Sequence, residues 1–307
     1  MKNVRHIRLR RGMTVTQLVE EMDACEVLGA GKIGKAARLL TRMFKDPDFT
    51  VFLTLAGALV PGGLKSIVVD LIAAGHVNVV VTTGANMVHD IVETLGYKHK
   101  VGTFRAMDEQ LVKRDVGRIG DIYIEHKAFR SLEKWMRDVL GSIGKQKLQR
   151  ISPSDLLLEI GRRIEDKDSI LAIAAEADAP IICPGLVDSI AGFQLWLCRQ
   201  ESEIVLDPLG DISKLVDKVY EAKKTGIIIL GGGLPKHFAL FANTFREGVD
   251  VAVQITMDRP EPGGLSGASL EEAVSWRKVK SERDTVTVVC DATIAFPLVI
   301  AAVLERL

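Results

Sequence analysis

The sequence has no net charge: forty Lys and Arg residues are matched by forty Asp and Glu among 307. That balance excludes a whole-chain basic field of the kind that draws a protein to nucleic acid or to an anionic membrane. Cysteine is scarce too. Cys25, Cys183, Cys198 and Cys290 lie far apart and form no C-x-x-C pair, so reduced, buried thiols in an intracellular chain are expected, not a disulfide framework. No long apolar run is present. The most apolar interior stretch, Ser66 to Ala85, is broken by Asp70, His76 and Asn78, and the basic N-terminus is followed by no apolar segment. Neither a membrane span nor a signal peptide is expected, and the cytoplasm is the expected location. The six histidines show no metal-ligand spacing, so no zinc site is expected.

What is there is a globular balance, 47% hydrophobic and 26% charged, in a chain long enough to bury a sizeable core. Short β-branched runs recur at 50–55, 77–83, 122–125, 180–183, 203–206, 226–230, 250–256 and 285–290. Between them lie helix-like stretches at 63–74, 87–95, 129–140, 153–165, 190–199, 212–225 and 234–243. Several of the runs are almost wholly apolar, as strands covered on both faces are. The alternation predicts an α/β fold, a Rossmann-like, doubly wound, mostly parallel sheet with helices on both faces. Residues 1–30 read as an N-terminal helical arm carrying Lys2, Arg5, Arg8, Arg10 and Arg11, either solvated or touching another subunit. Residues 31–307 read as one domain, because the strand rhythm continues on both sides of the polar stretch 142–154.

Ligands of such sheets collect at the carboxyl ends of strands. The segments there are Ala56-Gly57-Ala58, Thr82-Thr83-Gly84-Ala85-Asn86, Pro184 to Asp188, Gly231-Gly232-Gly233 and Asp291-Ala292-Thr293. Small residues admit a cofactor to the backbone, and a helix start behind Gly231–Gly233 suits a phosphate. Asp188 and Asp291 are either ribose acceptors or helix N-caps. Two lookalikes are set aside. Gly29 to Gly34 spells G-x-G-x-x-G but follows a helical stretch instead of a strand, so it reads as a helix-to-helix turn. Gly231 to His237 has the wrong spacing for a P-loop.

The densest chemistry lies in Ser266–Lys278. Ser269 followed by Glu272 reads as a capping box that starts a short helix near Leu270, placing Glu272, Trp276 and Lys278 around one mouth. A carboxylate holds an ammonium, an indole face lines a cation's path, and a lysine amine freed by burial or by neighbouring Arg277 makes a Schiff base. Capping alone also accounts for Glu272, core packing for Trp276, and a solvated charged run for Lys278.

The segments Gly231-Gly-Gly-Leu-Pro-Lys-His237, Ser266-Gly-Ala with Glu272-Ala-Val-Ser-Trp-Arg-Lys278, and Asp291-Ala-Thr with Phe296-Pro297 together resemble deoxyhypusine synthase. Weaker similarity runs from about Gly31 to the C-terminus. The resemblance implies an NAD-dependent homotetramer. Its activity is transfer of the aminobutyl group of spermidine to one lysine of the precursor of the translation factor that carries hypusine. It implies Lys278 as the lysine that captures the imine and His237 as the proton shuttle. Cofactor contacts carry over onto Gly57, Ala58, Thr83, Gly84, Ala85, Asp188, Gly232, Asp291 and Ala292, with Thr256 and Met257. Glu272 and Trp276 fall in the amine-binding helix.

The chain departs from the family pattern at four places. His89, Phe193 and Leu265 stand at the positions of three family carboxylates, and Arg277 replaces a glycine. Loss of three carboxylates weakens the hold on a triply charged polyamine and brings a less charged donor such as agmatine into consideration. Two alternatives carry the same residues: transfer to putrescine in the manner of a homospermidine synthase, and a non-catalytic NAD-binding subunit.

Overall fold

The computed structural model describes residues 1–307. In chain order the first elements are α1 (Val15–Cys25), α2 (Leu28–Lys45), β1 (Phe49–Leu55), α3 (Lys65–Ala73), β2 (Val79–Thr82) and α4 (Gly84–Thr94). There follow β3 (Lys100–Val101), α5 (Asp108–Lys113), β4 (Val116–Ile119), β5 (Ile122–Glu125), α6 (Lys127–Ser142), α7 (Lys145–Leu148), α8 (Pro153–Gly161) and α9 (Ile170–Glu176). The chain continues with β6 (Ile181–Ile182), α10 (Ile190–Arg199), α11 (Pro208–Glu221), β7 (Lys224–Leu230) and α12 (Gly233–Ala242). It closes with β8 (Val251–Thr256), α13 (Leu270–Ser275), β9 (Thr285–Val289) and α14 (Ala292–Leu304). No helix is long and apolar enough to cross a membrane.

The chain forms two compact units, one of residues 1–56, 76–81 and 213–307, the other of 57–75 and 82–212. Neither is a continuous stretch, a division that the strand rhythm of the sequence does not announce.

The first unit is built on a sheet whose strands run in the order β2-β1-β7-β8-β9. β1 pairs parallel with β7 from Phe49↔Lys224 to Leu55↔Leu230, β7 with β8, and β8 with β9. Its central strands are buried at nearly every residue, Ile227 to Leu230 and Val251 to Ile255 among them, which is why they read as apolar runs without alternation. α2 and the apolar α14 pack against this sheet. The Gly29–Gly34 segment is not a turn between helices. All three glycines lie inside α2, where a Cβ on Gly31 would sit 2.5 Å from the Glu26 carbonyl carbon and one on Gly34 2.2 Å from Asp23 Cα. Gly31 and Gly34 are small so that α1 and α2 can cross closely, whereas Gly29 has open space at its Cβ position. Within the basic N-terminal segment, Arg5 and Arg10 pair with Glu21 at 3.2 and 3.8 Å.

The second unit carries helices α3 to α10 and a separate antiparallel sheet, β3-β5-β4. The 122–125 run expected as a parallel strand is β5 of this small sheet, paired with β4 from Val116↔Glu125 to Ile119↔Ile122. The 203–206 run forms no strand; Leu206 makes a single bridge with Ile151. The polar 142–154 stretch is part of the packed structure. It carries α7 and buries Leu148 and Ile151.

Candidate active site

Two loops of the first unit are made to fit one another. After β7 the chain turns at Gly231, whose φ of 76° and distance of only 2.6 Å from an added Cβ to Ala56 O require glycine. At Gly232 a Cβ would lie 2.4 Å from Ser266 Cα, so the start of α12 presses directly on the loop that leads to α13. Gln254 on β8 braces the pair. Its Nε2 donates to Gly231 O at 3.0 Å and to Ser266 O at 2.9 Å, and its Oε1 accepts from Lys236 Nζ at 3.0 Å. Lys236 also donates to Ala268 O.

α13 begins at Leu270, as the Ser269 cap predicts: Ser269 Oγ accepts from Glu272 N at 3.2 Å. The reciprocal half of a capping box is not made, and the Glu272 side chain is exposed. The helix ends before Lys278. Trp276 is its C-cap, Arg277 takes a left-handed φ of 54°, and Lys278 follows with its N–H donating to Ala273 O at 3.0 Å. Lys278 O accepts from Val249 N at 3.0 Å. The lysine backbone is thus fixed at both sides, and only the side chain is free to move.

These elements enclose a cavity of about 350 Å³ lined by Lys236, His237 and Phe241 from α12 and Glu272, Trp276 and Lys278 from the α13 segment, with Leu265 at the loop. Lys278 Nζ stands over the Trp276 ring, 5.5 Å from its centroid. Trp276 is 66% exposed, so it is not a core residue, and its indole is available to a ligand. His237 stacks on Phe241 at 5.8 Å, and its Nδ1 is buried without a hydrogen-bond partner. A buried, unsatisfied ring nitrogen is costly and calls for a partner supplied by a ligand. Burial, reinforced by Lys278, lowers the His237 pKa. Lys236 is 4% exposed. Burial, opposed by Glu272 and assisted by Lys278, brings its pKa down to about 8. It is the residue that sequence reasoning passed over, although a lysine amid Leu234, Pro235, Phe238 and Leu240 was the available signal.

The remaining residues of the first unit are Thr256, buried at the end of β8, exposed Met257 beyond it, and Asp291, which caps α14 by accepting from Thr293 N at 2.7 Å. Ala292 opens that helix. In the second unit, Thr83 caps α4, and a Cβ on Gly84 would lie 2.4 Å from Ser189 Oγ, which itself caps α10. The α4 start and the Leu186–Ser189 loop therefore meet. Asp188 is not a cap and is exposed beside Ser189, Gly57 has φ 97° with open space at its Cβ position, and Ala58 follows it. Ala85 is exposed in the first turn of α4, and Phe193 on α10 is 67% exposed. His89 lies one turn further along α4, its Nδ1 2.9 Å from His99 Nε2.

A family model described as deoxyhypusine synthase matches residues 17–303. The chain belongs to the deoxyhypusine synthase family. A Methanothermobacter thermautotrophicus relative, "Probable deoxyhypusine synthase", is 44% identical over 305 residues, 99% of each chain. "Probable deoxyhypusine synthase 1" of Methanosarcina acetivorans is 42% identical over 99% of this chain and 95% of its own. A solved Entamoeba histolytica structure carrying the same family name superposes with a TM-score of 0.71 at 19% identity over 98% of this chain and 97% of that one, which bears on the fold alone. The chain is accordingly a transferase of this family, and its three most family-specific segments all fall in the first unit.

Proposed function

We propose that the chain is a deoxyhypusine synthase that uses NAD to move an aminobutyl group onto one lysine of the hypusine-carrying translation factor precursor. The donor is spermidine or a less charged amine of the agmatine type. The observation that carries the reading is the cavity in which the amine of Lys278, the unpartnered Nδ1 of His237, Glu272 and the Trp276 face converge.

Bound NAD would supply hydride acceptance and return. Gly232, Thr256, Met257, Asp291 and Ala292 are the first-unit residues that would hold it. They fit. α12 starts at Gly232–Gly233 with no side chain on its first amides, which leaves N–H groups for a phosphate. Asp291 uses Oδ1 for its cap and keeps Oδ2 for a ribose hydroxyl.

The protein's own groups divide the rest of the work. His237 takes the proton released from the donor's secondary amine, a task its lowered pKa suits because the neutral ring persists to lower pH. Lys278 attacks the imine carbon, expels the leaving amine and carries the four-carbon unit as its own imine. The acceptor lysine then displaces Lys278 at the same carbon. Glu272 holds a donor ammonium, and Trp276 lines the path. On the same reading the enzyme is a cytoplasmic homotetramer, a state that native mass measurement checks.

The test is incubation of the protein with NAD, the precursor and either spermidine or agmatine, followed by intact mass of the precursor. A gain with either donor is expected, and Lys278→Arg should abolish it, with a loss of about three orders of magnitude or more. No gain with either donor would refute the reading.

A further inference from the structure

The first unit holds another concave site, on the outer face of α2. A cavity of about 480 Å³ is lined by Lys35, Arg38, Leu39 and Arg42 of α2 and by Arg283 and Asp284 of the turn that leads into β9. It shares no lining residue with the Lys278 cavity. Ile33, Ala36, Ala37 and Leu40 bury the opposite face of α2. The spacing of three and four residues therefore turns Lys35, Arg38 and Arg42 to one side. Four cations meet one carboxylate there, in a chain whose total charge is zero.

The four cations are held differently. Asp23 of α1 grips the Arg38 guanidinium, with Nε 2.9 Å from Oδ2 and Nη2 3.1 Å from Oδ1, and Arg42 Nη1 lies 2.8 Å from Asp284 Oδ1. These carboxylates orient two guanidiniums and leave most of their N–H groups unused. Arg283 N donates to Ser281 Oγ at 3.1 Å, which fixes the backbone of the turn. The side chains of Lys35 and Arg283 have no partner in the protein, although Lys35 is partly buried. An ammonium drawn out of water with no carboxylate beside it is costly until an anion joins it.

We propose that this cavity binds the oligophosphate chain of a small molecule, held by Lys35 and Arg283 and flanked by the guanidiniums of Arg38 and Arg42. Asp23 and Asp284 offset the two paired arginines, so two cations are left for the ligand. That matches an anion of two or more charges better than a lone carboxylate or a phosphodiester. Guanidinium forks fit phosphate oxygens two at a time. The volume falls within the range of small-molecule sites, about 300–1,000 Å³, and exceeds what one phosphate fills. Leu39 is the sole apolar wall and no aromatic ring lines the site, so recognition rests on charge and not on stacking of a base.

Cations near the carboxyl end of a helix also complement its dipole, and Arg42 and Lys45 lie in the last turn of α2. Lys35 stands more than two turns before Lys45, and Arg283 belongs to another element, so the dipole accounts for neither unpartnered cation. Glu282, beside Arg283, is exposed and outside the lining.

The experiment is calorimetry of the full-length protein at physiological salt, without NAD, amine or divalent metal. Sodium tripolyphosphate, ATP, orthophosphate and a single-stranded RNA oligonucleotide are titrated in turn. The wild type should bind one equivalent of tripolyphosphate saturably. Lys35→Gln combined with Arg283→Gln should weaken that binding about a hundredfold, since each charge-assisted contact is worth about tenfold or more. Neither side chain has a protein partner, so thermal unfolding of the double variant should match the wild type; if it does not, Arg283→Gln alone replaces it, with a loss of about tenfold. Lys32→Gln combined with Lys45→Gln removes two exposed cations of the same helix outside the lining and should change affinity by less than about threefold. ATP as tight as tripolyphosphate supports a site for the chain alone, and ATP about tenfold tighter supports a nucleotide. The proposal is overturned by absence of saturable binding, by equal losses in the two double variants, by orthophosphate binding as tightly as tripolyphosphate, or by RNA binding more tightly than either small ligand. None of these outcomes touches the transfer reaction, which has its own assay.

Discussion

Lys236→Met isolates the electrostatics of the cavity. The amine of Lys236 is enclosed, donates to Gln254 and Ala268, and has its pKa lowered from 10.5 to about 8. Below the folded value the lysine is protonated in both states, and the native state bears the whole desolvation cost, about 3 kcal/mol from the two pKa values. Between about 8 and 10.5 the unfolded chain binds more protons than the native one, so stability rises with pH. From about pH 7 to about pH 9.5 that contribution amounts to about 2 kcal/mol.

Methionine is close in volume and does not titrate. At about pH 7 the variant loses two hydrogen bonds from a cation, about 1.5–3 kcal/mol each, and is relieved of the about 3 kcal/mol desolvation cost, so its net loss is small to moderate. As pH rises the wild type gains what the variant cannot. Urea unfolding of both proteins at the two pH values, at one protein concentration, should show the stability gap widening by about 2 kcal/mol in favour of the wild type. Parallel profiles would refute a buried, depressed lysine.

His237→Asn should lower kcat by about 10²- to 10⁴-fold. Because the His237 pKa is depressed by burial and Lys278, the acid limb of the wild-type kcat profile should lie below the ordinary imidazole value. Gly232→Ala puts a Cβ 2.4 Å from Ser266 Cα; backbone must shift, and thermal unfolding should register about 1–3 kcal/mol of loss together with failure of NAD binding by fluorescence. Trp276→Ala removes a side chain that is 66% exposed, so stability should change by less than about 0.5 kcal/mol while the donor KM rises by about threefold to thirtyfold.

The central strands were legible because burial on both faces leaves an uninterrupted apolar run, and β1, β7, β8 and β9 fall where those runs do. β5 was legible as a strand but not as a member of the small antiparallel sheet, since four residues of Ile122–Glu125 carry no mark of their partner. The 203–206 run misled because local β propensity does not supply a neighbouring strand. In the site, Ser269 as the α13 cap followed from residue chemistry alone. The position of Lys278 beyond the helix end did not, because it depends on Arg277 adopting a left-handed φ that non-glycine residues seldom take. The resemblance had already marked that position as a family glycine. Lys236 was missed because a lysine one turn into a helix normally reaches solvent, and only the packing of Gly232 on Ser266 closes the space above it.

The charge inventory of the cavity separates two tasks that the sequence presents together. Its lining holds two lysines and a histidine against one carboxylate, Glu272. That set suits making and breaking a C–N bond: an amine nucleophile, a ring nitrogen without a partner and a second amine whose pKa of about 8 leaves it partly neutral near physiological pH. The same set is poorly suited to holding a polycation, because each additional ammonium would meet more positive groups than negative ones. Of the three positions where the family pattern has carboxylates, Leu265 lies at the rim of this cavity, whereas His89 and Phe193 belong to the second unit. Lys278, His237 and Glu272 all remain in the cavity lining. On the proposed function, a protein that only bound NAD would have no physical reason to keep a clamped lysine backbone behind a mobile amine, and the positive lining bears on which donor amine it accepts.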